Sequence, residues 1–481
     1  MKMTGRALVK TFVFFLFSIL LNGQSQTTRG PGQFIRFNDP VIALVHVRVI
    51  DGTGSPAHPN QTVIVDHGTI TAVGNASSTP IPDGARRLEL NGNSVYPGLV
   101  GVHEHLFYPV FPTPNGPMIL SEQPFSAPRL YLASGVTTIR TAGAIEPYAD
   151  INLKQLTEKG APGPAIDATA PYIQGPRSYF FQMPVIHSAE EARRFVDYWA
   201  SAGATSFKAY TNISHDSLAA AIEAAHQHGL KITGHLCSVG FTEAAEMGID
   251  NLEHGLIVDT EFTPGKQHDV CPNPMQTMAA FKKLDVKGPE VQQLIHVLVQ
   301  HKVAITSTLA VLESSIPGRP PLEQRMLDAM SPQAAVSYLA FKERMANYPE
   351  ARDSSSLDKE MAFEREFVRA GGLLLAGCDP TNIGGTLAGF GDQRNLELLV
   401  EAGFKPEEAI KIYSYNGALY LGRADRIGTI ATGRQADLVV VEGDPSAHIS
   451  DVEKVKYVVK KGLVYDSEDL IRSVRGMVGI Q

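Results

Sequence analysis

Apolar and polar positions alternate in three regimes along this chain. After a Gly- and Pro-containing linker at 27–40, residues 41–50 alternate around His46 and Arg48, and the short apolar runs 62–65 and 70–73 meet across Asp66-His67-Gly68. Period-two alternation broken by a glycine turn predicts strands and a hairpin. From about Val102 the pattern changes to short apolar strands alternating with amphipathic helical stretches, which predicts βα units around a parallel sheet. Ser188, with Glu191 three positions on, predicts a capped helix through Trp199. A strand at 205–210, a helix at 216–228 stopped by Gly229 and a strand at 230–236 follow. The last regime returns to hairpins, 436–441 and then 456–459 with 463–465 across Lys460-Lys461-Gly462. Two β-rich ends around a βα middle predict an α/β chain. The expected architecture is a (β/α)8 TIM-like barrel over 97–421, beside a small composite β-sandwich built from 30–96 and 422–470.

Candidate ends of the eight barrel strands fall at His105, Arg140, Tyr172, Lys208, His235, His254, Ser307 and Asp379. The two longest intervals, 254 to 307 and 307 to 379, carry an insertion. Its Pro- and Ser-containing stretches at 316–321 and 349–356 read as a mobile lid. In such a barrel the C-terminal strand ends share one mouth, so the side chains there decide the chemistry.

Residues 1–25 are read separately. Lys2, Arg6 and Lys10 precede the apolar run 11–21, the pattern of a secretory signal peptide and too short for a comfortable permanent span. Cleavage would leave a periplasmic or secreted protein without a stable membrane anchor; an uncleaved N-terminal anchor is the alternative. Composition adds exclusions. With 43% hydrophobic and 19% charged residues the chain is not disordered, and its 481 residues suit one large domain with a smaller one. A net charge of −8 with no basic run excludes the electrostatic footprint of a nucleic-acid binder. Cys237, Cys271 and Cys378 permit one bridge at most, and the spacing does not choose the pair. A homo-oligomer is left open.

The chemistry concentrates at the strand ends. His103 and His105 are two apart, so a strand turns both to one face and Glu104 to the other. His235 closes the stretch from Lys231, His254 follows Asn251-Leu252-Glu253, and Asp379 ends the apolar run from Leu373. Four imidazoles and a carboxylate form a nitrogen and oxygen donor set suited to Zn²⁺ or a similar first-row ion. Cys237, two residues after His235, reads as a small buried filler rather than a ligand.

Residues 96–105, Gly135-Val136-Thr137-Thr138, His254-Gly255 and the 428–438 segment resemble the amidohydrolase superfamily, in its imidazolonepropionase-like and prolidase-like (metal-dependent dipeptidase) branch. The resemblance implies a barrel with a composite sandwich and two divalent ions, Zn²⁺ by preference, bridged by a CO₂-derived carbamate on Lys208. It implies one ion on His103, His105 and Asp379 and the other on His235 and His254. A metal-bridging hydroxide would attack an amide-like C–N bond, Asp379 passing its proton to the leaving amine. The alternative for Lys208 is a simple charge pair with a carboxylate, and no second metal. Tyr210, on the same strand face as Lys208, is a candidate partner of the tetrahedral intermediate. Arg140, Tyr172 and Arg177, with Tyr179 nearby, are candidate substrate contacts. Deaminases of the superfamily place a Glu soon after the fifth-strand His, whereas His235 is followed by no carboxylate until Glu243. That departure argues against deamination. The expected activity is an exported dipeptidase or N-acyl amino acid hydrolase acting on a small-molecule amide or peptide. The alternatives are a one-metal cyclic-amide hydrolase and, in a different class, an inactive ligand-binding barrel, against which the complete ligand set argues.

Overall fold

The computed structural model describes residues 31–111, 118–177, 180–347, 354–381 and 385–480. The expected signal peptide, Tyr179 and residues 349–353 of the expected lid lie outside them.

Eight parallel strands carry the middle of the chain. They are β1 (Leu99–Glu104), β2 (Val136–Thr141), β3 (Ala165–Asp167), β4 (Ser206–Ala209), β5 (Lys231–Gly234), β6 (Asn251–Glu253), β7 (Ala304–Ser307) and β8 (Leu374–Ala376). They pair as a three-stranded sheet, β3-β2-β1, and a five-stranded sheet, β4 through β8 in order. Parallel bridges Thr169–Ser206 and Ile173–Ala209 connect the stretch after β3 to β4. On the other side Asp379 N, just beyond β8, donates to His103 O of β1 at 3.1 Å. The strands are short and almost wholly buried, and helices between them supply the apolar cover. The helix Ala189–Ala202 starts as expected: Ser188 Oγ accepts from Glu191 N, and the Glu191 carboxylate accepts from His187 N at 2.7 Å. The helix His215–Gln227 ends before Gly229, which takes the left-handed φ of 69°.

Both ends of the chain enter one nine-stranded sheet. Leu438–Glu442, from the C-terminal end, lies between Val455–Lys460 and Asn93–Pro97, so the ends interleave. Two of its hairpins turn on two residues each, His67-Gly68 and Lys461-Gly462, all four with positive φ. The turns pack on each other so closely that a Cβ on Gly68 would lie 2.6 Å from Lys461 O. That contact requires glycine. Ile42, Leu44, Val63, Val95, Leu438 and Val459 form a separate apolar core for this sheet. Residues Phe34–Gln481 form one compact unit, and among the described residues no helix is long and apolar enough to cross a membrane.

Two expectations are corrected here. Cys237 is not a filler: it is bonded to Cys271, Cα atoms 5.0 Å apart, while Cys378 is buried and free. The 316–321 stretch is not a free lid either. Arg319 pairs with Glu313 at 2.6 Å and with Glu401 at 2.7 Å, pinning the loop to two helices.

Closing a loop between residues 34 apart removes about 3–4 kcal/mol of denatured-state freedom in the chain-entropy model. A Cys237→Ser/Cys271→Ser double variant should therefore melt several degrees below the parent in calorimetry. Alkylation of the denatured, unreduced protein should modify Cys378 alone.

Candidate metal centre and substrate cleft

Each side chain of the centre arrives at the C-terminal end of a strand. β1 presents His103 and, one residue past its end, His105, their ring centroids 5.5 Å apart. Lys208 lies in β4; His235 and His254 follow β5 and β6 directly; Asp379 stands beyond β8. Asp379 Oδ1 is 3.2 Å from His105 Nε2 and 3.6 Å from His103 Nε2, and its Oδ2 is 3.9 Å from His254 Nδ1. Lys208 Nζ is 3.2 Å from His103 Nε2, and the His235 ring lies 4.5 Å from that of His254. The sequence-predicted donors therefore form a single cluster.

The surroundings select the ligating form of each group. His103 Nδ1 meets the Glu253 carboxylate at 2.7 Å and His105 Nδ1 meets the Gly143 carbonyl at 3.3 Å. Both partners only accept, so each Nδ1 carries a proton and each Nε2 is the atom turned toward Asp379, where a cation would meet it. Burial holds His105 down to about 4 and His235 down to about 3, leaving neutral imidazoles at physiological pH. Burial also brings the Lys208 amine down to about 8, against the pull of Glu253 and Asp379. Burial alone would raise Asp379, but His103, His105 and His254 outweigh it and keep the carboxyl well below its ordinary range. Imidazole nitrogens and one carboxylate, with the donor atoms of His103, His105 and Asp379 within 4.8 Å of one another, fit a divalent cation.

Two of these residues sit in strained backbone. His254 has φ 67° and Asp379 φ 50°, the left-handed region that L residues rarely enter. Glu360 holds the first turn by accepting from Leu256 N and Ile257 N, and a Cβ at Gly255 would lie 1.9 Å from Glu360 Oε1. Thr308 Oγ1 fixes His254 Nδ1 at 2.7 Å, and Thr381 Oγ1 donates to Asp379 Oδ1 at 2.8 Å.

Beneath these side chains lies a layer whose residues the sequence pattern places differently. Arg140 is not a substrate contact. It is wholly buried inside the strands, donating to Val102 O at 2.6 Å, Thr233 Oγ1 at 2.7 Å, and Ser206 Oγ and Glu253 Oε1 at 3.3 Å each. Glu253, which the sequence reading passed over, is the hub. It receives His103, Arg140 and Thr233, and His103, Lys208 and Arg140 hold its carboxyl well down although burial alone would raise it. On the outer face of β1, Glu104 forms a second buried trio with Cys378 and Asp392, tied by hydrogen bonds to Cys378 N and Sγ at 3.1 Å each. Glu243 is occupied at a helix start, accepting from Gly240 N at 3.0 Å, and stays clear of the centre.

The centre forms the floor of a cleft of about 120 Å³. Its walls include Phe107, Met118, Leu120, Tyr172, Phe180 and Met183, with Tyr210 and Thr381. Tyr172 and Tyr210 thus line the cleft, their rings 5.0 Å apart. Arg177 does not: it is exposed, absent from the cleft lining, and its carbonyl accepts from the Asn212 side chain at 3.3 Å.

Glu253→Gln would leave His103 without its orienting anion and Arg140 without its charge partner. Losing one member of a buried pair costs about 3–5 kcal/mol, and losing such a partner of a ligand weakens metal binding about 10–100-fold. Thermal unfolding and Zn²⁺ titration of the variant should show both effects. Unchanged metal affinity would remove Glu253 from the design of the centre.

Solved structures place this arrangement in context. The chain is similar to a Xaa-Pro dipeptidase with bound methionine in its active site, at 19% identity and a TM-score of 0.66, over 89% of this chain and 100% of that one. It is similar to bottromycin amidohydrolase at 18% identity and a TM-score of 0.66, covering 92% and 94% of the two chains. Molinate hydrolase matches at 18% identity and a TM-score of 0.64, covering 92% and 98%. At these identities the likeness is one of fold. No curated protein matches by sequence. The amidohydrolase family model, however, matches residues 94–464, most of the chain and all of the centre. The chain belongs to the amidohydrolase family and is a metal-dependent hydrolase of carbon–nitrogen bonds.

Proposed function

We propose that this protein hydrolyses an amide-like C–N bond of a small peptide- or N-acyl-type substrate, with two divalent cations held at the strand ends. One observation carries the reading: His103, His105, Lys208, His235, His254 and Asp379 together line the floor of one cleft. The reading takes the eight strands as a closed (β/α)8 barrel over 97–421. The parallel bridges from the stretch after β3 to β4 and the Asp379–His103 backbone bond support it. It takes the two chain ends, 30–96 and 422–470, as a composite sandwich, supported by their shared sheet and its separate core.

In this reading His103, His105 and Asp379 hold one ion, and His235 and His254 the other. Lys208 has an amine that burial brings down to about 8, so a substantial neutral fraction is available to take up CO₂ near pH 7–8. The carbamate so formed offers two oxygens where an ammonium offers no lone pair. Bound there, ions of the Zn²⁺ type supply a nucleophilic water at neutral pH and polarise the scissile carbonyl. The chain's own groups do the rest. Asp379, whose carboxyl stays well below its ordinary range beside His103, His105 and His254, accepts a proton and returns it to the departing amine, while Thr381 fixes its Oδ1. Tyr210, in the cleft wall beside His235, donates toward the oxygen that gains charge. The apolar wall excludes water from the reacting bond. A one-metal centre is the second reading, favoured by the 3.2 Å separation of Lys208 Nζ and His103 Nε2, which a plain hydrogen bond also explains.

Export to a periplasmic or extracellular space belongs to the same proposal. The Cys237–Cys271 bond supports it, since such bonds persist in oxidising compartments.

Elemental analysis of the purified chain should find two ions in the parent and one or none in Lys208→Ala. One ion in both proteins would sink the carbamate bridge and leave the one-metal reading. Asp379→Asn should reduce turnover of any amide substrate by about 10²–10⁴-fold or more, since it removes a proton acceptor and weakens a ligand.

A further inference from the structure

The cleft itself narrows the substrate class, on the footing that the protein is the amide hydrolase proposed above. Lys208 and Asp379, the non-histidine charged residues of its lining, both belong to the metal floor. Among the described residues no Arg and no second Lys lines it. The stretches 112–117, 178–179 and 382–384, which adjoin lining residues in sequence, contain no Lys, Arg or His. Arg140 is buried below the floor with its donors engaged by four acceptors, and Arg177 lies outside the lining. A free carboxylate flanking the scissile bond would therefore lose its hydration with no cation on the wall to replace it.

The wall supplies the opposite chemistry. Phe107, Tyr172 and Phe180 present aromatic rings, Leu120 an aliphatic surface, and Met118 and Met183 thioethers that adapt to irregular apolar groups and favour aromatic ones. Four of the six, Phe107, Leu120, Tyr172 and Met183, are buried in one small apolar cluster that Met118 and Phe180 join, so the wall is braced before substrate arrives. Phe181, next in sequence to Phe180, is 84% exposed, which carries the apolar character outward. The cleft's volume of about 120 Å³ includes the space above the metal floor, so it caps the apolar group at about the size of benzene, which fits a ~150 Å³ apolar cavity. It suits one phenyl-sized or branched aliphatic group.

We infer that the substrate is uncharged around the scissile bond and seats one phenyl-sized apolar group against the Phe107–Met183 wall, in preference to a free dipeptide whose carboxylate would enter the cleft. The zinc-loaded full chain is given matched twins that differ only in charge, glycyl-phenylalanine and glycyl-phenylalanine amide, with phenylacetyl-glycine and phenylacetyl-glycinamide as the acyl-side pair. In each pair the carboxamide should exceed the carboxylate in kcat/KM by about tenfold or more. Phenylacetyl-glycinamide should exceed acetyl-glycinamide by about tenfold or more if the acyl side seats the ring, and the glycyl-phenylalanine amide should show the advantage over glycyl-glycinamide if the amine side does. Phe180→Ala should shrink whichever advantage is found, through KM rather than kcat. Equal or faster hydrolysis of the carboxylate twins would overturn the inference and leave amide hydrolysis standing. Should no amide be cleaved, that reading falls instead. Calorimetric affinities of the twins for the zinc-loaded protein then decide the inference alone: tighter binding of the carboxamides supports it, and equal or tighter binding of the carboxylates ends it.

Discussion

The arrangement at the strand ends depends on one buried charge pair, Glu253 with Arg140. Among these short, buried strands water cannot solvate either group, and an unpaired charge there would be severely destabilising. Each is satisfied several times over. Arg140 reaches a backbone carbonyl, two hydroxyls and Glu253; Glu253 in turn receives Thr233 and His103. The pair thereby links β1, β2, β4, β5 and β6 across the interior, and its remaining acceptor capacity points at a ligand. A structural requirement, that no interior charge go unpaired, becomes a functional one: His103 is held in a single tautomer with Nε2 toward Asp379.

The same logic explains the strained residues. His254 and Asp379 each adopt a left-handed backbone, and each is held from two sides. Glu360 and Thr308 fix the first; Thr381 and the hydrogen bond to His103 O fix the second. Strain of this kind persists only where the surroundings over-determine it. The candidate metal-binding side chains of β1, β6 and β8 are thus oriented by packing and hydrogen bonds that need no ion.

How much of this was legible in the chain depends on how directly local pattern reports three-dimensional position. His103 and His105 could be read because alternation along a strand is strict, and His235, His254 and Asp379 because each closes a short apolar run. The hairpin turns were legible through Gly68 and Gly462, which their positive φ requires. Glu253 was not. Alternation places it opposite its neighbour His254, but β6 ends at Glu253 and the left-handed turn at His254 brings both side chains inward. Arg140 was placed too high, at a strand end, because a lone cation in an apolar strand gives no sign of how deep it sits. The Cys237–Cys271 bond joins the loop after β5 to a distant segment, a contact no spacing rule selects. The wall residues Phe107, Leu120, Phe180 and Met183 look like ordinary core until the fold opens a cleft beside them.

β1 is constrained from both of its faces. Its inward face carries His103, locked by Glu253, and His105 follows at its end. Its outward face carries Glu104, which bonds Cys378 and faces Asp392, itself held by Tyr413 at 2.8 Å and by Gly389 N. Burial and the nearby Asp392 push the Glu104 carboxyl well up, so this outer trio favours a neutral hydrogen-bonded group where the inner one is ionic. Cys378 directly precedes Asp379, so the outer trio also sets the position of the eighth-strand carboxylate. Two networks of opposite electrical character therefore meet at β1 and the end of β8. The ionic one aims the imidazole and the neutral one anchors the carboxylate strand, so the distance between His103 and Asp379 is fixed by the protein before the chemistry needs it.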